Sequence, residues 1–226
     1  MNWTTWRGPG TTLETQPTAE TPEQAAHRFY GRLIREGYRL ARIWAYSDIG
    51  RNPWWVCRFE HPEKRKEPRP LCRVDGEFRP CKPEFPNGSP LLYLQNLAWN
   101  LERMVWLVEG EKTCDAAWDV GLLATTWAGG ANAILRTNWT PLAGRKVIIW
   151  PDNDEAGIEA IKSLKPTLRA QGTIFGVVDV EDLGIRRHGD IADWIEQRKL
   201  TRSPDSPISE LHWIWQSIRH IPMVHE

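Results

Sequence analysis

Residues 105–112 read VWLVEGEK and residues 147–154 read VIIWPDND, so in both stretches four apolar residues are followed almost at once by carboxylates. Short, continuous apolar runs are typical of strands that are buried on both faces of a parallel sheet. Ligands of such sheets bind beyond the carboxyl ends of the strands. The two stretches therefore predict a parallel sheet whose functional edge is built from residues 109–112 and 151–154.

The sequence around these two runs alternates between strand and helix patterns. We predict strands at 104–108, 122–126, 146–150 and 174–180, and helices at 113–120 and 155–171. Alternation of this kind indicates βαβ units with helices covering the sheet. The predicted fold class is α/β, with a Rossmann-like parallel sheet.

The residues before this part have a different organisation. Pro22 opens a predicted amphipathic helix at 22–36, and strands follow at 39–46, 54–60 and 69–74. We therefore divide the chain into a loose arm at 1–21, a small basic α+β lobe at 22–90, an α/β domain at 91–200 and an amphipathic helix at 201–226. The last helix is expected to pack on the domain, and a docking helix for a partner is the alternative.

The net charge of zero over 226 residues is a cancellation. Residues 1–100 carry 15 basic and 11 acidic side chains, and residues 101–226 carry 14 and 18, so the two parts have net charges of +4 and −4. The composition is that of a globular protein and excludes collagen-like and coiled-coil classes. No apolar run is long enough to span a membrane and the N-terminus lacks a signal-peptide profile, so we expect a cytoplasmic protein without a membrane partner.

Basic side chains are concentrated between residues 51 and 82, interleaved with aromatic residues. Lys and Arg neutralise phosphates, and aromatic faces accept stacked bases. We predict that seven of these side chains contact nucleic acid, namely Arg58, Lys64, Arg65, Lys66, Arg69, Arg73 and Lys82. Trp54 and Trp55 are candidates for base stacking. The alternative is a solvated sheet face with tryptophans in the core.

The four cysteines, Cys57, Cys72, Cys81 and Cys114, form no CxxC pair, so a zinc ribbon is not predicted. In a cytoplasmic protein we expect them to be reduced thiols.

Carboxylates at three strand ends would gather at one edge of the sheet: Glu109, then Asp152 and Asp154, then Asp190 or Asp193 after the last strand. Like charges at close range persist only when a cation or protons neutralise them. Hard oxygen ligands suit Mg²⁺ or Mn²⁺, and magnesium in such sites also takes phosphate oxygens. The alternative is that Glu109 and Glu111 are favoured by the dipole of the helix that follows them, and that Asp152 and Asp154 are helix caps. The sequence contains neither a GxGxxG motif after a strand nor a P-loop.

With these residues in view, VEGEKTCDAAWDVGLLATTWAGGAN followed by VIIWPDNDEAGIEA resembles the Toprim domain of bacterial-type primases, topoisomerases and some nucleases. The similarity covers residues 90–196 and is greatest to primases of phages, plasmids and mobile elements. It implies that Glu109 acts in acid/base chemistry or helps organise metal, and that Asp152 and Asp154 bind metal.

The resemblance also implies roles for three further positions. Asp190 is the choice for the third acidic motif, and Asp193 is the other candidate. Lys112 matches the EGEK form of the mobile-element branch and would approach a phosphate. The sequence departs from the family at Thr113, where cellular primases often have Asp, and Asp115 is a candidate replacement.

The function implied by the resemblance is that of a DNA primase core, a nucleotidyltransferase that makes short primers with Mg²⁺. Its partners would be a single-stranded DNA template, nucleoside triphosphates and a replicative helicase. A Toprim nuclease that uses the same metal site, and a non-catalytic nucleic-acid-binding module, are the alternatives. A topoisomerase is disfavoured, because all four tyrosines precede the Toprim part.

Overall fold

The computed structural model describes residues 19–47 and 53–223. The predicted arm at 1–21 lies outside these residues except for positions 19–21. The two units described below are an antiparallel sheet with helices and a parallel sheet with helices, so the predicted α/β class is confirmed.

The N-terminal lobe is a four-stranded antiparallel sheet in the order β1-β2-β3-β4. Its helices are α1 (Pro22–Phe29) and α2 (Gly31–Arg35), and its strands are β1 (Arg39–Tyr46), β2 (Trp54–Glu60), β3 (Glu67–Val74) and β4 (Glu77–Arg79). Side chains alternate between the two faces of the strands. Along β2, Trp55 and Cys57 face the helices, whereas Trp54 and Val56 face the second unit.

The predicted helix at 22–36 is wrong in one respect, because it is broken at Tyr30. Thr21 caps α1 with a capping box to Gln24, as the Pro22 signal predicted. Tyr30 has non-helical dihedral angles, and its hydroxyl donates a hydrogen bond to the carbonyl of Pro70 on β3. This long-range contact has no local sequence signal.

The second unit is a parallel sheet in the order β6-β5-β7-β8. Its strands are β5 (Val105–Val108), β6 (Ala124–Thr125), β7 (Lys146–Trp150) and β8 (Ile174–Val177). Its helices are α3 (Leu94–Trp99), α4 (Glu111–Asp119), α5 (Glu155–Ala170), α6 (Ile191–Thr201) and α7 (Glu210–Ile218), and 3₁₀ turns span Ala131–Arg136 and Thr140–Leu142. β8 ends three residues earlier than predicted, and Val178 pairs instead with Met223.

Both faces of the parallel sheet are covered. Leu107 and Ile149 pack with α5 on one face, and Trp106 and Trp150 pack with Trp194 of α6 on the other. Ring centroids are 6.2 Å apart for Trp106 and Trp150 and 5.3 Å apart for Trp150 and Trp194. These three tryptophans therefore form part of the core beneath the carboxyl edge of the sheet.

The two units are joined through Asp115 on α4. Its Oδ2 accepts a hydrogen bond from Trp44 Nε1 at 2.8 Å and pairs with the Arg42 guanidinium at 2.9 Å. Its Oδ1 accepts a hydrogen bond from the Tyr93 hydroxyl. Tyr46 of β1 adds a hydrogen bond to Glu111 at 2.9 Å. Asp115, a candidate replacement in the acidic motif, therefore lies at the junction between the lobes.

The expectation of four reduced thiols is wrong for one pair, because Cys72 and Cys81 form a disulfide. Cys72 is at the end of the β3 ladder and Cys81 follows β4, so the hairpin brings their Cα atoms to 5.8 Å. Cys57 and Cys114 are free and buried.

The C-terminal helix α7 packs against α6. Ile214 is fully buried, and the Trp213 indole donates a hydrogen bond to the Arg198 carbonyl at 3.1 Å. Among the described residues, no helix combines the length and the apolarity needed to cross a membrane.

We predict that Asp115→Ala lowers the free energy of unfolding by about 2–4 kcal/mol, because the Trp44 indole and the Tyr93 hydroxyl lose a charged acceptor in a partly buried site. Urea unfolding measures the change. Asp119→Ala, at the exposed end of the same helix, is the matched control and should change stability by less than about 0.5 kcal/mol. Equal effects of the two substitutions would contradict the role of Asp115 at the junction.

Candidate active site

The carboxyl ends of β5 and β7 lie side by side, since Val108 pairs with Trp150 in the parallel ladder. Glu109 directly follows β5, and Asp152 follows β7 after one proline. The pairing therefore brings these two carboxylates to the same edge of the sheet, as the sequence predicted.

Glu109 and Asp152 both have strongly raised pKa values. Burial raises the pKa of Glu109 to about 7, and the charge of Asp154 acts in the same direction. Burial also raises the pKa of Asp152 to about 7, and the charges of Glu109, Asp190 and Asp154 add to the effect. Four of the predicted acidic residues are therefore close enough to interact electrostatically.

Two oxygens of these carboxylates have no hydrogen-bond partner among the described residues. They are Oε1 of Glu109 and Oδ1 of Asp152, and both atoms are buried. A buried polar atom without a partner costs free energy. A cation or a substrate group in contact with these oxygens would remove that cost.

Gly157 allows α5 to begin close to both carboxylates. A Cβ atom at this position would lie 2.4 Å from the carbonyl oxygen of Asp152 and 3.1 Å from Oε1 of Glu109. Distances this short to backbone atoms exclude any larger residue without a shift of the chain. The Gly157 of the sequence motif is therefore required by close packing.

Asp154 and Asp190 begin the helices that follow the edge. Oδ1 of Asp154 accepts a hydrogen bond from the backbone N–H of Gly157 at 2.8 Å, and Oδ1 of Asp190 accepts one from Ala192 at 2.7 Å. The helix-cap alternative is therefore confirmed for Asp154, and Asp190 is a helix cap that the sequence did not predict. The alternative does not apply to Asp152, which precedes the cap of α5.

Asp190 and Asp193 differ in their contacts. Oδ2 of Asp190 accepts a hydrogen bond from the hydroxyl of Thr113 at 3.2 Å, which links the third acidic motif to α4. Asp193 completes the capping box of α6 and pairs with Arg186 at 2.9 Å. Asp190, but not Asp193, acts on the pKa of Asp152. These contacts favour Asp190 as the third acidic ligand.

His188 is a site residue that the sequence reasoning missed. Its Nδ1 lies 3.1 Å from Oδ2 of Asp154. The pKa of Asp154 is lowered, first by the Gly157 hydrogen bond and then by His188. The available signal was a run of three basic residues, Arg186 to His188, directly before the last acidic motif.

The carboxylates of the edge have the donor chemistry that Mg²⁺ and Mn²⁺ prefer. Among residues 19–47 and 53–223, no three His, Cys, Asp or Glu side chains stand in a ready-made metal-binding arrangement. The two buried carboxylate oxygens without partners are hard donors, and their clustering with Asp154 and Asp190 favours a divalent cation. The chemistry of these donors therefore fits such an ion.

Lys112 is exposed on the first turn of α4. Its predicted approach to a phosphate remains a prediction.

The seven predicted DNA contacts fall into two groups. Lys64, Arg65 and Lys66 are exposed together in the turn between β2 and β3. The other four contact side chains of the lobe itself: Arg58 pairs with Glu60, Arg69 pairs with Glu67, Arg73 lies over the Phe78 ring and Lys82 lies over the Trp54 ring. Lys64 also lies over a ring of the lobe, that of Tyr38. The three side chains of the turn are nevertheless all exposed together, which makes the turn the more available to a polyanion.

Lys66 links the basic turn to the acidic edge. Its ammonium lowers the pKa of Asp152, against the effects of burial and of the neighbouring carboxylates. The predicted basic surface and the predicted acidic site therefore interact electrostatically.

The suggestion that Trp54 stacks on bases is wrong. Its side chain is 2% exposed and lies in the core between the units, stacked on Tyr46 with ring centroids 4.9 Å apart. Trp55 is half-buried against Phe78, at a centroid distance of 5.3 Å. Tryptophans that face the core of a sheet and tryptophans that stack on bases give the same sequence pattern, so the sequence alone did not distinguish these two roles.

A cleft of about 630 Å³ lies beside Lys82. The residues that line it include Lys82, Phe85 and Arg136. Burial lowers the pKa of Lys82, and the Arg136 charge lowers it further. An anion in the cleft would relieve the repulsion between the two cations.

No protein-family model and no curated protein sequence matches the chain. Among solved structures, it is similar to the Aquifex aeolicus primase, in a structure of the zinc-binding and RNA polymerase domains, with 17% identity and a TM-score of 0.45, over 87% of this chain and 47% of that one. It is also similar to a DNA primase domain from Pseudomonas aeruginosa, with 16% identity and a TM-score of 0.34, over 79% and 65% of the two chains. The chain thus spans about half the length of the Aquifex chain. Likenesses this distant carry no functional conclusion.

The raised pKa values predict how stability depends on pH. The folded-state pKa values of Glu109 and Asp152, about 7, exceed the ordinary values of 4.5 and 3.8, so the folded state holds more protons between about pH 4 and pH 7. Stability should therefore fall as the pH rises through that window. At pH 8, Glu109→Gln and Asp152→Asn should each raise the free energy of unfolding by about 1–3 kcal/mol, and at pH 4 the gain should disappear.

Thermal or urea unfolding at the two pH values measures this difference. Glu159→Gln, on the exposed side of α5, is the control and should show no such pH dependence. Variants that are less stable than the wild type at pH 8 would contradict the burial of these charges.

Proposed function

We propose that the protein is the catalytic core of a Toprim-type DNA primase, which makes short primers on single-stranded DNA in phage, plasmid or mobile-element replication. The observation that carries the proposal is the pair of buried carboxylates, Glu109 and Asp152, whose pKa values lie near neutrality at the carboxyl edge of a parallel sheet. Ionisable groups whose pKa values are shifted by burial and by like charges are typical of functional sites. The resemblance of the surrounding sequence to Toprim domains implies that the chemistry at this site is metal-dependent nucleotidyl transfer.

The reaction joins two nucleotides. The 3′-hydroxyl oxygen of one attacks the α-phosphorus of the next, a P–O bond forms, the bond from that phosphorus to the bridging oxygen breaks, and pyrophosphate leaves. Glu109, Asp152, Asp154 and Asp190 would hold Mg²⁺ or Mn²⁺, with Asp193 as a further candidate. When bound, the ion stabilises negative charge on the reacting phosphate.

The chain's own residues prepare this step. Oε1 of Glu109 has no hydrogen-bond partner among the described residues, so it can either accept the proton of the attacking hydroxyl or contact the cation. Gly157 and the caps at Asp154 and Asp190 hold the surrounding backbone. Lys112, exposed beside Glu111, would contact a phosphate of the incoming triphosphate.

The basic turn Lys64–Lys66 supplies the surface for the template strand in this proposal. Its three exposed charges precede β3, and Lys66 acts electrostatically on Asp152. Lys82 and Arg136 in the adjoining cleft offer a second pair of cations for phosphate. The partners are a single-stranded DNA template, nucleoside triphosphates and a replicative helicase, in the cytoplasm of a bacterial or infected host cell.

Incubation with single-stranded DNA, labelled nucleoside triphosphates and Mg²⁺ should give short, template-dependent products. Glu109→Gln and Asp152→Asn should each lower product formation by about 100-fold or more, because each removes a proton acceptor or a ligand. Glu159→Gln should retain wild-type activity. The proposal would be overturned if no primer formed when a helicase is supplied and a control primase is active in the same assay. Degradation of the template strand in the absence of nucleotides would favour the nuclease alternative.

Replacement of Lys64, Arg65 and Lys66 together by Ala should weaken binding of single-stranded DNA. Because each lost phosphate contact contributes a slope of about 0.7 for single strands, the slope of log K against log salt should fall by about 2. Fluorescence anisotropy with a labelled oligonucleotide over a range of salt concentrations measures it. Lys162→Ala, on the exposed side of α5, is the control. An unchanged slope in the triple variant would mean that the turn at 64–66 does not contact the phosphates of the DNA.

A further inference from the structure

The loop at 185–189, directly before the third acidic motif, is held against Asn153. The Asn153 N–H donates to the carbonyl of Gly189 at 2.9 Å, and the N–H of His188 donates to the carbonyl of Asn153 at 2.8 Å. The Asn153 side-chain amide also donates to the carbonyl of Ile185 at 3.0 Å. Asn153 lies between Asp152 and Asp154, so these bonds tie the second acidic motif to the third.

Close packing supports the same arrangement. A Cβ atom on Gly189 would lie 2.3 Å from a side-chain carbon of Ile185 and 2.8 Å from the carbonyl oxygen of Arg186. Gly189 is therefore needed for the loop to close on itself before Asp190.

His188 has an unusual backbone conformation within this loop. Its φ is +63°, in the left-handed region that side-chain-bearing residues seldom adopt. A glycine would adopt this conformation without strain. In this conformation the imidazole Nδ1 lies 3.1 Å from Oδ2 of Asp154.

The direction of this hydrogen bond follows from the chemistry of the two groups. An Asp carboxylate only accepts hydrogen bonds, so the contact uses the His188 tautomer in which Nδ1 carries the hydrogen and donates it. Together with the bond from Gly157 to Oδ1, this gives each oxygen of Asp154 a donor and sets the orientation of the carboxylate.

We propose that His188 is a positioning residue of the acidic site: by donating a hydrogen bond to Oδ2 of Asp154, it orients this carboxylate toward a divalent cation. The inference rests on the proposed function. Partners that orient a metal-binding carboxylate through its second oxygen commonly determine cation affinity. Arg186 pairs with Asp193, and Arg187 pairs with the exposed Glu155. The carboxylate of Asp154 is the partner of neither arginine in these pairs.

Mn²⁺ alone is the probe, and its binding is followed by the electron paramagnetic resonance signal of the free ion. His188→Gly removes the imidazole and suits the left-handed backbone, so the folded state is retained. His188→Asn restores a donor, since its amide nitrogen is as many bonds from the backbone as Nδ1. Arg187→Ala removes an adjacent cation and is the matched control. Thermal unfolding of each variant is measured in parallel.

We expect His188→Gly to bind Mn²⁺ about 10-fold or more weakly than the wild type at unchanged or higher thermal stability. His188→Asn should recover to within about threefold, and Arg187→Ala should bind like the wild type. Mn²⁺ affinity of His188→Gly equal to or higher than that of the wild type would overturn the inference. So would a His188→Asn variant that binds no better than His188→Gly.

Asp152→Asn separates this inference from the proposed function. If the wild type binds Mn²⁺, Asp152→Asn does not, and His188→Gly binds normally, only the role of His188 is wrong. If the wild type and Asp152→Asn bind equally weakly, the metal site and the inference are both overturned.

Discussion

The burial of two carboxylates at the junction of β5 and β7 is the constraint on which the rest of the site depends. Burial disfavours the charged form of Glu109 and of Asp152, and neighbouring carboxylates add to the effect, so both pKa values are raised to about 7. The parallel pairing of the two strands brings them together, and the absence of a side chain at Gly157 lets α5 begin beside them. Burial of these two carboxylates lowers the stability of the fold, but it leaves Glu109 and Asp152 able to bind a cation or to transfer a proton near neutral pH.

The second constraint is the junction between the two units. Trp44 and Tyr46 of the N-terminal sheet contact α4, the helix that follows Glu109: Trp44 donates a hydrogen bond to Asp115, and Tyr46 donates one to Glu111. The same contacts keep the basic lobe beside the acidic edge, so that Lys66 acts on Asp152. The zero net charge of the chain thus conceals a basic surface and an acidic site that are held close to each other.

The sequence predicted the features that depend on local pattern. The apolar run at 147–150 and the turn signals after 39–46 predicted the strands at 146–150 and 39–46 with the observed boundaries, and the carboxylates after the runs at 105–108 and 147–150 predicted the acidic edge. It did not predict the features that depend on distant contacts. The helix breaks at Tyr30, whose hydroxyl bonds to β3. Trp54 is buried because it packs in the core between the two units. His188 lies beside Asp154 in a loop that is hydrogen-bonded to Asn153.

The central claim is that the carboxyl edge of the sheet is a divalent-cation site. Anomalous diffraction from crystals soaked in Mn²⁺ tests it most directly, because the signal locates the metal without assumptions about activity. We expect an anomalous peak in contact with the carboxylates of Glu109 and Asp152. No peak at that edge, with Mn²⁺ bound elsewhere or not at all, would contradict it.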